Sequence, residues 1–254
     1  MGENKQIYGT VPINLLRNIH EDQKGTIRKM LNYAIYDRMR KNYPVCEPDD
    51  FEVSEMEESM IYFNLEPTDL VERLKISKEL YDMFQGTPNA SVNVNKLLEF
   101  QKGKTEFELM VFCFYCAIRS IIGTDAYYYS KTKKGEPDFW FVRAFGYSSK
   151  EDFKNPLPTQ EPTSKEPTSK EKELRIKYSK RHWFDKVKLT LQNDWYLVYV
   201  STNKHIKMRG YYVSISMTLE ALAKVAKVAN DKYKMKEMAR KETLARVFNR
   251  DVPF

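Results

Sequence analysis

The chain has 254 residues, of which 42% are hydrophobic and 13% aromatic, so it can bury a core and is not expected to be disordered. Arg119 ends the longest apolar stretch well short of the eighteen or so residues that a membrane span needs, and no such span is expected. The net charge of +7 is concentrated after residue 170, where 19 Lys and Arg face 9 Asp and Glu. This excess favours a polyanionic partner.

Two features bear on the cellular compartment. Residues 1–6 lack the apolar core of a secretion signal. The three cysteines, Cys46, Cys113 and Cys116, form no disulfide framework and fit a reducing environment. We therefore expect a cytoplasmic protein.

The first 100 residues predict a helical region without a readable functional motif. Apolar residues at three- and four-residue steps indicate helices over 25–41 and 67–84. Residues 46–58 are acidic and follow Pro44, so we expect an exposed loop there. The run 60–65 is consistent with a short strand, and a short helix is expected near Asn95. The role of residues 1–100 stays open.

The middle of the chain begins with the clearest predicted helix, 105–122. Thr105 is a suitable N-cap, and Gly123 is a suitable stop. A short helix over 138–145 follows, with Pro137 at its start. Residues 155–173 contain Glu-Pro-Thr-Ser-Lys twice in tandem, which predicts a disordered insert.

The last part of the chain predicts a helix, a hairpin and a second helix. Ser179 is expected to cap a helix over 179–194. Alternating strands over 196–202 and 210–216 enclose a basic tip, 203–209. A long helix is expected over 218–248, within a C-terminal segment 217–250. It is expected to pack through its apolar stripe and to leave part of its lysine face exposed.

The predicted helix 179–194 has two different faces. Phe184, Val187 and Leu191 form an apolar back, whereas basic and amide side chains occupy the front and its flanks. Such side chains can read base edges and bind phosphates. The basic hairpin tip can add backbone contacts. The candidate DNA-binding residues are therefore Lys180, Arg181, His182, Lys186, Lys188, Asn193, Lys204, His205, Lys207 and Arg209.

From residue 105 the element order is helix, short helix, helix, strand, basic tip and strand. The segments that mark it are 117–123, 144–147, 178–181 and 209–214. This order resembles the winged helix-turn-helix DNA-binding proteins of phage and plasmid regulators and replication proteins. The insert 155–173 departs from the compact turn usual in that family. The resemblance implies a mostly α, α+β fold with a winged helix-turn-helix over 105–216 after a helical N-terminal region.

The resemblance also implies a function. We expect sequence-preferring binding of double-stranded DNA in transcription regulation or DNA replication of a mobile element, with helix 179–194 in the major groove. The alternative is a protein–protein interaction module that uses the same surface for docking. A homodimer is also possible.

Other chemistries are less favoured by the sequence. Cys113 and Cys116 lie inside an apolar helix and are expected to be core residues rather than zinc ligands or a redox pair. The three histidines, His20, His182 and His205, are far apart and have no ligand-spaced neighbour. We therefore expect no enzyme activity, no catalytic residues, no metal and no cofactor.

Overall fold

The computed structural model describes residues 6–43, 53–131, 136–155, 166–195, 197–201 and 210–248. The protein is α+β and mostly helical, as the sequence predicts. Contacts divide it into two compact units: Met1–Gly123 with Phe139–Leu191, and Thr124–Asp138 with Gln192–Phe254. The expected ranges 1–100, 105–216 and 217–250 do not coincide with these units. In the described ranges no helix has the length and apolar character needed to cross a membrane.

In its described residues, the first unit is helical apart from one two-stranded sheet. In chain order its elements are β1 (Tyr8–Pro12), a 3₁₀ helix (Ile13–Asn18), α1 (Gln23–Asn42), α2 (Val53–Tyr62), α3 (Leu70–Phe84), β2 (Asn89–Asn93), α4 (Val94–Gln101), α5 (Glu106–Ile122), α6 (Phe139–Ala144), α7 (Lys150–Lys154), α8 (Ser169–Ser179) and α9 (Arg181–Asp194). The last residues of α9, after Leu191, belong to the second unit.

Helix α1 lies at the centre of the N-terminal half and contacts β1, α2, α3 and α4. Its Tyr33 and Tyr36 rings pack on Tyr81 of α3 at centroid distances of 5.4 and 5.3 Å. Strands β1 and β2 pair in antiparallel fashion. Gly9 of β1 permits the close approach of α1, because a Cβ atom there would lie 2.9 Å from the Cβ of Ala34.

Helix α5 forms as its sequence predicts. The Thr105 and Glu108 side chains bond to each other's backbone N–H groups in a capping box, and Gly123 ends the helix with a positive φ of 57°. Cys113 and Cys116 are fully buried and take no part in a disulfide, which confirms their assignment to the core. Burial raises the pKa of both thiols, so neither behaves as a reactive thiolate.

Helix α8 is fixed by a charged network in the interior. Arg175 donates to Glu171 at 2.5 Å, and the Tyr147 hydroxyl donates to the same carboxylate oxygen at 2.9 Å. The Arg175 guanidinium also lies 3.8 Å from the centre of the Phe153 ring. These contacts hold α8 against the segment that includes α7.

The described part of the second unit contains a three-stranded antiparallel sheet and a long helix. The strands β3 (Tyr128–Lys131), β4 (Val198–Ser201) and β5 (Gly210–Ser214) lie in the order β3-β5-β4. The helix α10 (Leu219–Phe248) packs on this sheet through Leu222 and Ala226, which are buried with Tyr212. The two predicted hairpin strands are thus confirmed as β4 and β5.

Four predictions of local structure are wrong. Residues 60–65 were expected to form a strand, but 60–62 are the last residues of α2. Met56, Met60 and Phe63 are buried at helical spacing, which favours a helix here. Residues 53–58 of the expected acidic loop are also helical and belong to α2. Residues 46–52 of that loop lie outside the described residues. Part of the expected disordered insert 155–173 is helical, since α8 begins at Ser169 after the N-cap Thr168; 156–165 lie outside the described residues.

The fourth error concerns the start of α9. Ser179 belongs to the end of α8, and its hydroxyl donates to the Ile176 carbonyl at 2.9 Å. Lys180 is extended and separates the two helices. The Trp183 and Phe184 N–H groups both donate to the Lys180 carbonyl, so α9 begins at Arg181.

Candidate nucleic-acid interface

The back of α9 is buried as its spacing predicts. Val187 and Leu191 are both 0% exposed. The Phe184 ring packs edge-on against Trp140 of α6 and Phe114 of α5, at centroid distances of 5.1 and 5.6 Å. This apolar contact fixes the rotation of α9 and decides which of its side chains face outward.

The front of α9 is exposed. The structure leaves five of the six candidate residues at this helix exposed, and they are Lys180, Arg181, His182, Lys186 and Asn193. His182, Lys186 and Asn193 follow one another at four- and seven-residue steps, so they share one stripe. The side chain of Arg181 is 93% exposed. A cationic and amide-bearing surface therefore lies opposite the buried back.

Lys188 differs from the other candidates because it is held by the protein itself. Its side chain is only 15% exposed and bonds to Asp185 at 2.5 Å. It also lies 5.0 Å from the centre of the Phe184 ring. Lys188 thus neutralises a carboxylate on the surface of α9 and is poorly placed to meet a phosphate.

Asp185 is an acidic residue within this cationic surface. It accepts from Lys188 and lies 3.5 Å from Arg181 Nε. The hydrogen bond from Lys188 is the main reason that the pKa of Asp185 is lowered, and the nearby Arg181 charge adds to it. The carboxylate therefore keeps its negative charge at neutral pH and offsets part of the positive charge of α9.

Aromatic rings orient the lysines at the start of α9. The Lys186 ammonium lies 4.7 Å from the centre of the Phe107 ring and 5.4 Å from that of Trp183. Lys177, at the end of α8, lies 4.5 Å from the Trp183 ring. Such contacts attract the cation to the ring face and stabilise its position by about 0.5–1 kcal/mol at exposed sites. The sequence pattern of α9 alone did not single out Lys177.

A three-membered ion network joins the start of α5 to α8. Glu106 bonds to Lys170 at 2.6 Å and to Lys177 at 2.7 Å. Burial alone would raise the pKa of Glu106, but the two lysine hydrogen bonds outweigh it and lower the pKa. Lys177 is therefore partly neutralised, and the exposed charge of the surface comes from Lys180, Arg181 and Lys186.

Leu189 is a further exposed residue that the predicted face did not include. It lies on the same stripe as Lys186 and Asn193, and 57% of its surface is exposed. An apolar side chain at this position can contact a thymine methyl group or an apolar side chain of a partner protein. The seven-residue step from His182 to Leu189 places both on one stripe, so the sequence alone could have identified Leu189 as part of this face.

The four candidates of the hairpin tip, Lys204, His205, Lys207 and Arg209, lie outside the described residues. The described ends of the hairpin are Ser201 of β4 and Gly210 of β5, which pair with their neighbours in an antiparallel register. Strand β3 lies between α5 and α6 in the chain and adds a third strand to this hairpin. The sequence pattern predicts no strand there.

Within the described ranges no group of three or more His, Cys, Asp or Glu side chains is arranged to hold a metal ion. No protein-family model, curated protein or solved structure matches this chain. No relative therefore supplies a function for the residues of α9.

Proposed function

We propose that this protein binds double-stranded DNA through the exposed front of α9. The observation that carries the proposal is the two-faced character of this helix. Val187 and Leu191 are completely buried, whereas Arg181, His182 and Lys186 are exposed together at its first turns. A helix that is fixed from behind and presents cations at its N-terminal end can enter the major groove.

The start of α9 also suits the phosphate backbone. The helix N-terminus carries a partial positive charge and unpaired backbone N–H groups. Lys180 and Arg181 lie at this end and add two full charges to it. In the proposed complex these groups contact phosphates, while Lys186 and Asn193 reach base edges farther along the groove.

The element order supports a winged helix-turn-helix as the framework of this interaction. Helices α5, α6 and α9 precede the β4–β5 hairpin in the chain, as in the family that the sequence resembles. Two further helices, α7 and α8, lie between α6 and α9 where that family usually has a compact turn. We propose the winged helix on this order, with the hairpin tip 203–209 as a second DNA contact.

Regulation of transcription or of replication in a phage or plasmid is the biological setting that we propose. It rests on the family resemblance, which joins the element order to this kind of DNA-binding protein. The excess of basic residues after position 170 fits the same setting, because proteins of this kind bind a polyanion.

The proposal is tested by measuring the affinity of α9 variants for duplex DNA with fluorescence anisotropy. Lys186→Ala is expected to weaken binding about tenfold, and Arg181→Ala to weaken it and to lower the salt dependence by about one unit of slope. Lys102→Ala, which removes the same charge from the exposed end of α4, is the matched control and is expected to change little. Equal binding by all three variants contradicts the proposal.

A docking surface for another protein is the second candidate function. It is favoured by one observation, the exposed Leu189 in the middle of the α9 front, since interfaces combine apolar centres with charged edges. In that case Leu189→Asp abolishes binding to the partner, and Lys186→Ala leaves DNA affinity unchanged.

A further inference from the structure

The first unit contains a cavity of about 400 Å³. Its lining comes from the 3₁₀ helix and the residues after it, from α1 and α3, and from the start of α8. Pockets that bind small molecules commonly have volumes of about 300–1,000 Å³. The cavity is therefore large enough for a small organic molecule.

Part of the cavity lining is apolar. Ile76, Leu80 and Met83 follow one another at steps of four and three residues, so they share one face of α3. Leu15 of the 3₁₀ helix and Phe84 of α3 add two side chains that are each only 3% exposed. By contrast, Ile76 and Met83 are 36% and 45% exposed. The protein thus leaves part of this apolar face uncovered, and an apolar ligand would remove it from water.

Two of the charged groups that line the cavity are held by the protein itself. The Arg17 guanidinium donates to the Tyr147 hydroxyl at 3.1 Å and lies 4.4 Å from the centre of that ring. The Glu171 carboxylate accepts from Arg175 at 2.5 Å and from Tyr147 at 2.9 Å. These contacts occupy one cation and one anion of the lining, so the charge preference of the cavity depends on the other residues.

The other charged residues of the lining are mostly acidic. They are Glu21, Glu79 and Glu166, with Lys29 as the opposing cation, and all four are exposed. Among the described residues, none forms an ion pair with any of the three carboxylates. The three come from separate segments of the chain, and the fold brings them to one cavity. Their excess of negative charge favours a cationic ligand and disfavours an anionic one.

We propose that this cavity binds a small organic cation with an apolar body. The apolar body rests on the uncovered face of α3, and the cationic group lies near Glu79. This residue is three positions from Ile76 and four from Met83, so its carboxylate borders the apolar face. The proposal does not depend on the binding of DNA by α9.

Tetraphenylphosphonium is a suitable test compound, because it joins a positive charge to an apolar body. Its binding to the full-length protein is measured by isothermal titration calorimetry without DNA, and a Kd of about 10–100 μM is expected. Tetramethylammonium carries the same charge without the phenyl groups. It is expected to bind at least about a hundredfold more weakly, since it cannot cover the apolar face of α3.

Variants of exposed acidic residues test the role of charge. Glu79→Lys reverses the charge beside the apolar face and is expected to weaken tetraphenylphosphonium binding at least about tenfold. Glu57→Lys makes the same change on α2, outside the cavity lining, and is the matched control that keeps its affinity. Both positions are exposed, so both variants are expected to fold, which circular dichroism checks.

Three results overturn this proposal. The first is a lack of tetraphenylphosphonium binding at about 1 mM. The second is an affinity that Glu79→Lys leaves unchanged or lowers no more than Glu57→Lys does. The third is equal binding of tetramethylammonium and tetraphenylphosphonium. Arg181→Ala separates the two proposals, because it is expected to weaken DNA binding and to leave tetraphenylphosphonium binding intact.

Discussion

At the scale of single residues, Asp185 limits the positive charge of α9. Its carboxylate holds Lys188 at 2.5 Å and lies 3.5 Å from Arg181. Asp185→Asn removes a negative charge that would face the phosphates and leaves both cations available to DNA. The affinity for duplex DNA at 100 mM salt is therefore expected to rise about threefold to tenfold, as measured by anisotropy. Asp82→Asn, on exposed α3 surface, is the control; an unchanged or lower affinity of the Asp185 variant argues against contact between α9 and phosphates.

The buried His20 makes the stability of the protein depend on pH. Burial lowers its pKa from 6.5 to about 4, and its Nε2 atom has no hydrogen-bond partner among the described residues. Above pH 6.5 the imidazole is neutral in both the folded and the unfolded state. Below that pH the unfolded state takes up a proton that the folded state resists, so the free energy of unfolding falls as the pH is lowered.

The expected loss between pH 6.5 and 5 is about 1 to 2 kcal/mol, measured by urea denaturation at a series of pH values. His20→Gln is expected to remove most of this slope, because glutamine does not titrate. A wild-type stability that stays constant over this range would contradict the claim that His20 causes the pH dependence. A His20→Gln variant with the wild-type slope would contradict it as well.

At the scale of elements, α8 depends on its interior charges. Glu171→Gln leaves the Arg175 guanidinium without its carboxylate in a site where Glu171 is only 8% exposed. The free energy of unfolding is expected to fall by about 3 kcal/mol, since removal of one partner of a buried pair leaves an uncompensated charge. Glu173→Gln, on the same helix but 64% exposed, is expected to cost less than about 1 kcal/mol. Equal losses in the two variants would show that the Glu171–Arg175 pair is not what holds α8.

The elements also show which parts of the fold were predictable. Helix α5 was predictable, because Thr105, Glu108 and Gly123 specify its two ends locally. The back of α9 was, because helical spacing alone places Val187 and Leu191 together. Strand β3 was not, because its pairing with β5 depends on residues about eighty positions away in the chain.

Some features of the candidate site were also predictable from the sequence, and others were not. The exposure of Lys186 and Asn193 follows from the helical period of α9. The pairing of Lys188 with Asp185 was also accessible, since residues three apart on a helix are neighbours. The position of Lys186 over the Phe107 ring could not be predicted, because it depends on the contact between α5 and α9. The start of α8 was obscured by the repeated Glu-Pro-Thr-Ser-Lys, whose second copy contains the Thr168 cap.

At the scale of the whole molecule, the front of α9 is the surface that we propose for DNA. It is cationic and lies opposite the buried Val187 and Leu191, so the packing of the back of α9 holds it in place. The excess of basic residues after position 170 extends beyond this helix and fits a polyanionic partner.

The most direct test of the central claim is binding of the purified protein to a random duplex library at two salt concentrations. Binding is expected to weaken steeply as salt rises and to enrich one sequence family. The Lys186→Ala variant is expected to lose this enrichment. Absence of binding near 100 mM salt at about 10 μM protein, far above the range of specific complexes, would contradict the claim that α9 binds DNA.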